Sequence, residues 1–296
     1  QSGFLKYMTS TDDLTPQPAR NIKVRMANTP LEIEAAQRLR YKVFYEEFGA
    51  KPNEAMAREG RDFDEYDSLT DHIIVVDESH ADINDQIVGT YRLLRQNRLP
   101  KDFQFYTSQE FDISMLLNNG DNLMELGRSC VLPEYRTRPV LQLLWQKISE
   151  YFVLHNIDIL FGCASLHGTD VDEVAEQLSY LYHFHRAPEN ICPNVLPHVG
   201  IDMNILPKEQ IEPQARRIFS DLPPLIKGYL RVGCSIGNGA YIDHQFNCID
   251  VCIIVPTEQL ASRYLRHYER ATQKSAGETQ GPDFLATLQG AIPATT

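Results

Sequence analysis

The stretch Leu123-Met124-Glu125-Leu126-Gly127-Arg128-Ser129-Cys130-Val131 restricts the possible folds of this chain more than any other. Its flanks read as a buried strand, yet it sets a carboxylate and a guanidinium three positions apart with a glycine between them. Side chains of a regular strand alternate between faces, so an odd offset would turn Glu125 and Arg128 away from each other. A bulge at Gly127 would let them converge beside a gap between strands, a feature frequent next to active sites. After it come a basic turn, Pro133-Glu134-Tyr135-Arg136-Thr137-Arg138-Pro139, and apolar residues at helical spacing, Val140, Leu141, Leu144, Trp145, Ile148, Tyr151 and Phe152. A second apolar run, Ile157 to Cys163, completes the order strand, turn, helix, strand.

The remaining pattern fits around this core. Ile22 to Met26 alternates as a first strand, and Thr29-Pro30 reads as an N-cap with proline at the first helical position, ahead of Leu31, Ala35, Leu39, Val43 and Phe44. Asp71–Asp77 and Gln86–Leu94 read as a pair of strands, with Arg92 expected as a snorkelling edge residue rather than a buried clamp. Lys101 to Asn118 is ambiguous, Val171 to Tyr182 is helical in period, and prolines break 188–213 into irregular or short helical pieces. Alternation in Leu225 to Val232 would place Leu225, Lys227, Tyr229 and Arg231 on one face of a strand, with a turn at Gly233 to Gly239. Asn247 to Val255 reads as a last central strand and Thr257 to Ala271 as a closing helix. The expectation is one α+β domain over 21–271 with helices on both faces of a sheet, a flexible arm at 1–20 and a flexible tail at 272–296.

Charge and motifs remove several function classes. With 28 basic and 40 acidic side chains the net charge is −12, a field that repels nucleic acid and anionic lipid unless a local basic face overrides it. No apolar run approaches the roughly 20 residues of a membrane helix, and no secretory leader is visible. Cys130, Cys163, Cys192, Cys234, Cys248 and Cys252 form no CxxC pair; Cys248 and Cys252 share a strand face but lack nearby companions for zinc, and free thiols in a reducing cytoplasm are expected. There is no GxSxG around Ser165, no phosphate loop and no HExxH, and His183 and His185 read as packing or loop residues, so no metal is expected. Cys130 sits in an apolar strand where its thiol would be hard to ionise.

What is left is an acid, a base and nearby cations without a nucleophile on the protein. That suits direct transfer, in which an amine attacks a thioester while Glu125, made more basic by burial, takes the proton directly or through a water. Backbone N–H groups freed by a bulge would stabilise the oxyanion. The segment Asp62-Phe63-Asp64-Glu65-Tyr66-Asp67 packs four acids into six positions. A solvated loop would explain it, but the interleaved rings of Phe63 and Tyr66 do not favour full exposure.

These residues resemble a known family. Arg40-x-x-x-Phe44, Asp62-x-Asp64-x-x-Asp67 and Glu125-x-x-Arg128 are similar in order and spacing to the charged signature of the acyl-homoserine lactone synthases, which are GNAT-like acyltransferases. Glu125 to Val131, Phe161-Gly162-Cys163-Ala164-Ser165, Pro223 to Arg231 and Phe246-Asn247-x-x-Asp250-Val251 look more like the ornithine N-acyltransferases that begin ornithine-lipid synthesis, across roughly 22–268. The resemblance implies a GNAT-like fold, a central mixed and mostly antiparallel sheet. It implies a 3-hydroxyacyl donor on acyl carrier protein, ornithine as acceptor at its α-amino group, and a lyso-ornithine lipid as product. Glu125 and Arg128 would be catalytic. Arg40, Phe44, Asp62, Asp64, Asp67, Arg92 and Ser129 would surround the substrate, the three aspartates holding its ammonium and Arg92 or Arg128 its carboxylate.

By the same resemblance, Val131, Arg136, Arg138, Lys227 and Arg231 would meet the acyl-phosphopantetheine arm, in a gap between the opening strand and Ile157–Cys163. The turn Arg136-Thr137-Arg138-Pro139-Val140 departs from the acyl-CoA pattern by lacking glycines, which favours a carrier-protein donor over a CoA pyrophosphate. An acidic carrier protein would need a basic patch, drawn from Arg136, Arg138, Lys147, Arg216, Arg217 and Lys227. No bound cofactor is implied; the protein would be cytoplasmic, with peripheral contact at the inner membrane face left open. The alternatives are another N-acyl amino acid synthase or lactone synthase, and, in a different class, a non-catalytic lipid- or carrier-protein-binding module.

Overall fold

The computed structural model describes residues 21–260. The expected arm and tail, and the expected closing helix beyond Leu260, lie outside them; Thr257–Leu260 is helical. Strands β1 (Ile22–Met26), β2 (Asp71–Asp77), β3 (Ile87–Arg95), β4 (Phe111–Asp112), β5 (Leu123–Val131), β6 (Ile159–His167), β7 (Asn194–Val195), β8 (Gly200–Ile201), β9 (Ser235–Asp243) and β10 (Cys248–Pro256) build one sheet. Its order is β1-β2-β3-β5-β6-β10-β9-β7-β4, with β8 on β9. Pairing is antiparallel except between β5 and β6 and between β7 and β9. This is the mixed, mostly antiparallel sheet expected.

Among the described residues, four helices exceed eight residues: α1 (Pro30–Tyr41), α2 (Arg138–Leu154), α3 (Ala175–His185) and α4 (Pro224–Val232). Thr29 caps α1 in a reciprocal box with Glu32, with Pro30 opening the helix as the sequence suggests. Strand alternation sends Ile73 and Val75 to one face of β2, where they pack with Val140, Leu144 and Ile148 of α2. Ile74 and Val76 point to the other face, against Ala35, Ala36 and Leu39 of α1. Burial on both faces is why β2 and β3 read as near-continuous apolar runs. Each such side chain contributes roughly 1.5–3 kcal/mol on leaving water. Among the described residues no helix is long and apolar enough to cross a membrane.

Three local expectations are corrected. Leu225 to Val232 is helix, not strand: Pro224 opens α4, Ile226, Tyr229 and Leu230 are buried at helical spacing, and Gly233 (φ 101°) ends it in the left-handed conformation. Over nine residues the apolar pattern fits both periods, and the end signals decide. Gly233 to Gly239 is not simply a turn, because β9 begins at Ser235. Glycines sit in that strand because Gly239 has φ +81° and a Cβ on Gly237 would stand 2.8 Å from the carbonyl oxygen of Pro193. Arg92 does not lie at an edge, since β3 runs between β2 and β5 and the side chain is buried.

Candidate active site

The site opens where β5 leaves β6. These parallel strands pair only over Leu123–Glu125 against Ile159–Phe161, after which β6 continues alongside β10. On the other side of β5, Arg92 faces Gly127 and Thr90 faces Cys130, so Tyr91 alone stands opposite Arg128 and Ser129. The bulge expected at Gly127 thus falls one residue later, and Arg128 itself takes the left-handed conformation, φ 47°. A side-chain residue there costs of order 1–3 kcal/mol and persists only when its surroundings hold it. The divergence makes a cleft of about 1920 Å³, lined by β5 residues Glu125 to Val131, the start of α2, one side of α4 and residues of β6 and β10.

Glu125 lies on the cleft wall, 5% exposed. Its Oε1 accepts from the Thr107 backbone N–H (2.6 Å) and hydroxyl (2.6 Å), and its Oε2 from the Tyr106 N–H (3.1 Å). Burial raises its pKa above the ordinary carboxylate range, while these bonds and the charge of Arg92 moderate the rise. The carboxylate therefore also holds the 106–109 turn in place. Ser129, Val131 and Phe44 line the same cleft, Phe44 standing edge-on to Phe246 at 5.9 Å. A π-helical turn, Lys42–Glu47, carries Phe44 there from the end of α1.

The acidic segment behaves differently from expectation. Arg40, fully buried, donates through Nε to Asp62 Oδ2 (2.7 Å) and through Nη1 and Nη2 to both oxygens of Asp67 (2.6 and 2.9 Å). Arg92 Nη1 reaches Asp64 (2.5 Å) and Asp67 (3.3 Å), and Arg128 bridges Asp62 and Asp64 at 3.3 Å each. Burial works to raise the pKa of Asp67, but the Arg40 hydrogen bonds and the charges of Arg40 and Arg92 reverse this and hold it far below the usual range. Asp62 is likewise lowered, its burial outweighed by Arg40, Arg128 and Arg92.

Three guanidinium groups thus neutralise three carboxylates, and none of the three aspartates lines the cleft. The acidic wall expected to hold a substrate ammonium is occupied by the protein's own cations. The network instead fixes Arg128, whose guanidinium lies between the rings of Tyr106 (4.9 Å) and Phe246 (4.5 Å). Arg40 lies behind the wall; Arg92 and Arg128 reach the cleft.

Arg136, Arg138, Lys227 and Arg231 all line the cleft, on the α2 and α4 side. Arg136 is held in a two-pronged ion pair with Glu47 (2.6 Å each) and Lys227 donates to the Ser220 carbonyl (2.9 Å). The wider basic patch does not form as expected: Lys147 pairs with Glu150 and Arg217 with Glu176 and Asp221, and neither they nor Arg216 line the cleft.

The structure adds residues to which the sequence reading gave no role. Tyr91 and Tyr229 share a short hydrogen bond between their hydroxyls, and burial pushes the Tyr91 pKa up to about 12. Asp243 and Asp250 line the cleft from β9 and β10, with Cys163, Ser165 and Cys248. Glu110, Cys163 and Asp250, and likewise Asp243, Cys248 and Asp250, present donor atoms within 4.8 Å of one another, a spacing a metal ion could use. Burial pushes the Cys163 and Cys248 thiols well up. A carboxylate inside the apolar run Cys248 to Val255 was the available signal, because an aspartate there is almost never buried without a purpose.

Comparison with known proteins fits this geometry. Residues 39–146 match the acetyltransferase (GNAT) domain family, a span that includes β5 and its bulge. An acyl-homoserine-lactone synthase structure, LasI, superposes with a TM-score of 0.41 at 12% identity, over 80% of this chain and 91% of that one. L-ornithine N(alpha)-acyltransferases from Brucella abortus and Agrobacterium fabrum are 45% and 44% identical to the chain, covering 84% and 86% of it and 89% and 88% of their own lengths. Identity at that level, over more than four fifths of the chain and of each relative, places the chain in the L-ornithine N(alpha)-acyltransferase family.

Proposed function

We propose that this protein transfers an acyl group, typically 3-hydroxyacyl, from the phosphopantetheine thioester of acyl carrier protein to the α-amino group of ornithine. The observation that carries the reading is the cleft at the β5/β6 divergence, with Glu125 on its wall and the Arg128 bulge beside it. The name of the relatives supports ornithine as acceptor. The nitrogen lone pair attacks the thioester carbonyl carbon, the C–N bond forms, the C–S bond breaks, and the departing thiolate takes back the proton that Glu125 accepts from the nitrogen and leaves as the carrier's thiol. Glu125 takes the ammonium proton, directly or through a water, and the unpaired backbone of the bulge faces the developing oxyanion.

Arg128 or Arg92 would bind the acceptor carboxylate, and Val131, Arg136, Arg138, Lys227 and Arg231 would line the path of the carrier arm. The long pocket, apolar on much of the α2 and α4 side, suits an acyl chain, and the absence of glycines from 136–140 favours a carrier protein over CoA. All six cysteines are free thiols, in keeping with a reducing compartment, and an amphipathic product would leave toward a membrane surface. The test is to incubate the purified protein with 3-hydroxyacyl carrier protein and a panel of amino acids, and to identify products by mass. Acylated ornithine is expected; acylation of homoserine with ring closure, or no ornithine product, overturns the assignment.

A further inference from the structure

We propose that Glu110, Asp243 and Asp250 form the subsite for the side-chain ammonium of the acceptor amino acid. This inference rests on the acyltransferase reading above. Its starting point is that Asp62, Asp64 and Asp67 are already neutralised by Arg40, Arg92 and Arg128. A cationic side chain entering the cleft must find its anion elsewhere.

The second cluster has the complementary property. Glu110, Asp243 and Asp250 are 3%, 7% and 5% exposed, and no Lys or Arg among the described residues forms an ion pair with any of them. Their partners are neutral: the Cys163 thiol on Glu110 Oε2 (3.3 Å), the Cys248 thiol on Asp250 Oδ1 (3.1 Å), and the Gln245 and Phe246 N–H groups on Asp243 Oδ1 (2.8 and 2.9 Å). Asp243 and Asp250 both border the cleft. The charge of Arg128 acts on Glu110 and Asp250 but its ion pairs are with Asp62 and Asp64; buried carboxylates without a paired cation are costly to keep ionised, so a ligand that brings a positive charge gains by binding there.

The position also matches the chemistry. Cys163 contacts both Glu110 and Thr107 (3.7 Å), and the Thr107 hydroxyl is bonded to Glu125. The anionic subsite and the expected proton acceptor are therefore linked through two side chains, Cys163 and Thr107. Burial and the charge of Asp250 push the Glu110 carboxyl well up, burial raises that of Asp250, the charge of Arg128 opposes both, and a bound ammonium would favour their ionised forms. A divalent metal would use the same carboxylates, an alternative that the test below separates.

The test compares ornithine with 2-aminopentanoate, which lacks only the terminal amine, as acceptors for one acyl carrier protein donor. Wild-type protein is expected to prefer ornithine, and Asp250→Asn and Asp243→Asn, each checked for folding by its melting transition, are expected to reduce that preference roughly a hundredfold. Two variants guard against misfolding of either one. A preference that survives both substitutions in a protein that acylates ornithine overturns the subsite and leaves the acyltransferase reading intact. Loss of a bound metal with equal loss on both acceptors also overturns it. Wild-type protein that acylates neither ornithine nor any other diamino acid overturns both.

Discussion

At Glu125 a single carboxylate is asked to do two things. It accepts three hydrogen bonds from the 106–107 segment, and in the proposed reaction it also takes a proton from the attacking amine. Glu125→Gln should lower kcat by about a hundredfold or more and abolish the acidic limb of the pH–rate profile, because the rate rises with pH as the carboxyl, with its raised pKa, ionises. If Glu125 only braced the turn, kcat would fall but that limb would remain in the variant. Arg40 makes the opposite case, a residue with no access to the cleft whose removal leaves Asp62 and Asp67 buried and uncompensated. Arg40→Ala should cost about 3–5 kcal/mol in urea unfolding. That Glu125 and Arg128 would both border a cleft was legible because few core strands tolerate two charges, although they form no ion pair with each other and find separate partners. The partners of Asp62, Asp64 and Asp67 were not, since a run of acids does not reveal which distant arginines will fold against it.

At the scale of elements, the bulge in β5 and the end of α4 decide the shape of the cleft. The strand was readable from its apolar flanks, but the position of the bulge was not, because a glycine attracts the expectation of unusual backbone while here Arg128 adopts it. Its ion pairs and the rings of Tyr106 and Phe246 compensate the strain, something no local window contains. For Leu225 to Val232 the two periods competed over a short run, and proline at the start with glycine at the end carried the decisive information. Gly233, at φ 101°, ends α4 and sets the direction of β9. Gly233→Ala should destabilise the protein by about 1 kcal/mol, read as a lowered melting temperature, with α4 retained by circular dichroism. Unchanged stability would show that the helix end has no such constraint.

Across the whole molecule two acidic clusters respond to pH in opposite senses. Asp62 and Asp67 have pKa values lowered from 3.8, so their contribution to stability is present above that value and is lost as pH falls. Glu110 and Asp250, ordinarily near 4.5 and 3.8, are raised on folding, so their contribution is present below those values and is lost as pH rises toward neutrality. The ligand-free protein should therefore melt highest in mild acid, and Glu110→Gln should flatten the decline toward pH 7; a decline of the same slope in the variant would contradict this assignment.

The net charge of −12 poses a second problem of the same scale for the proposed donor, since an acidic carrier protein would have to approach an acidic enzyme. Arg138 and Arg231, on the cleft lining, should govern that approach: Arg138→Glu should raise KM for acyl carrier protein several-fold, less at high salt, with little change in kcat. The account as a whole is tested most directly by tandem mass spectrometry of the product made from ornithine and 3-hydroxyacyl carrier protein. It predicts one amide at the α-nitrogen with the side-chain amine free; an amide at the side-chain nitrogen, or only free fatty acid, would contradict it.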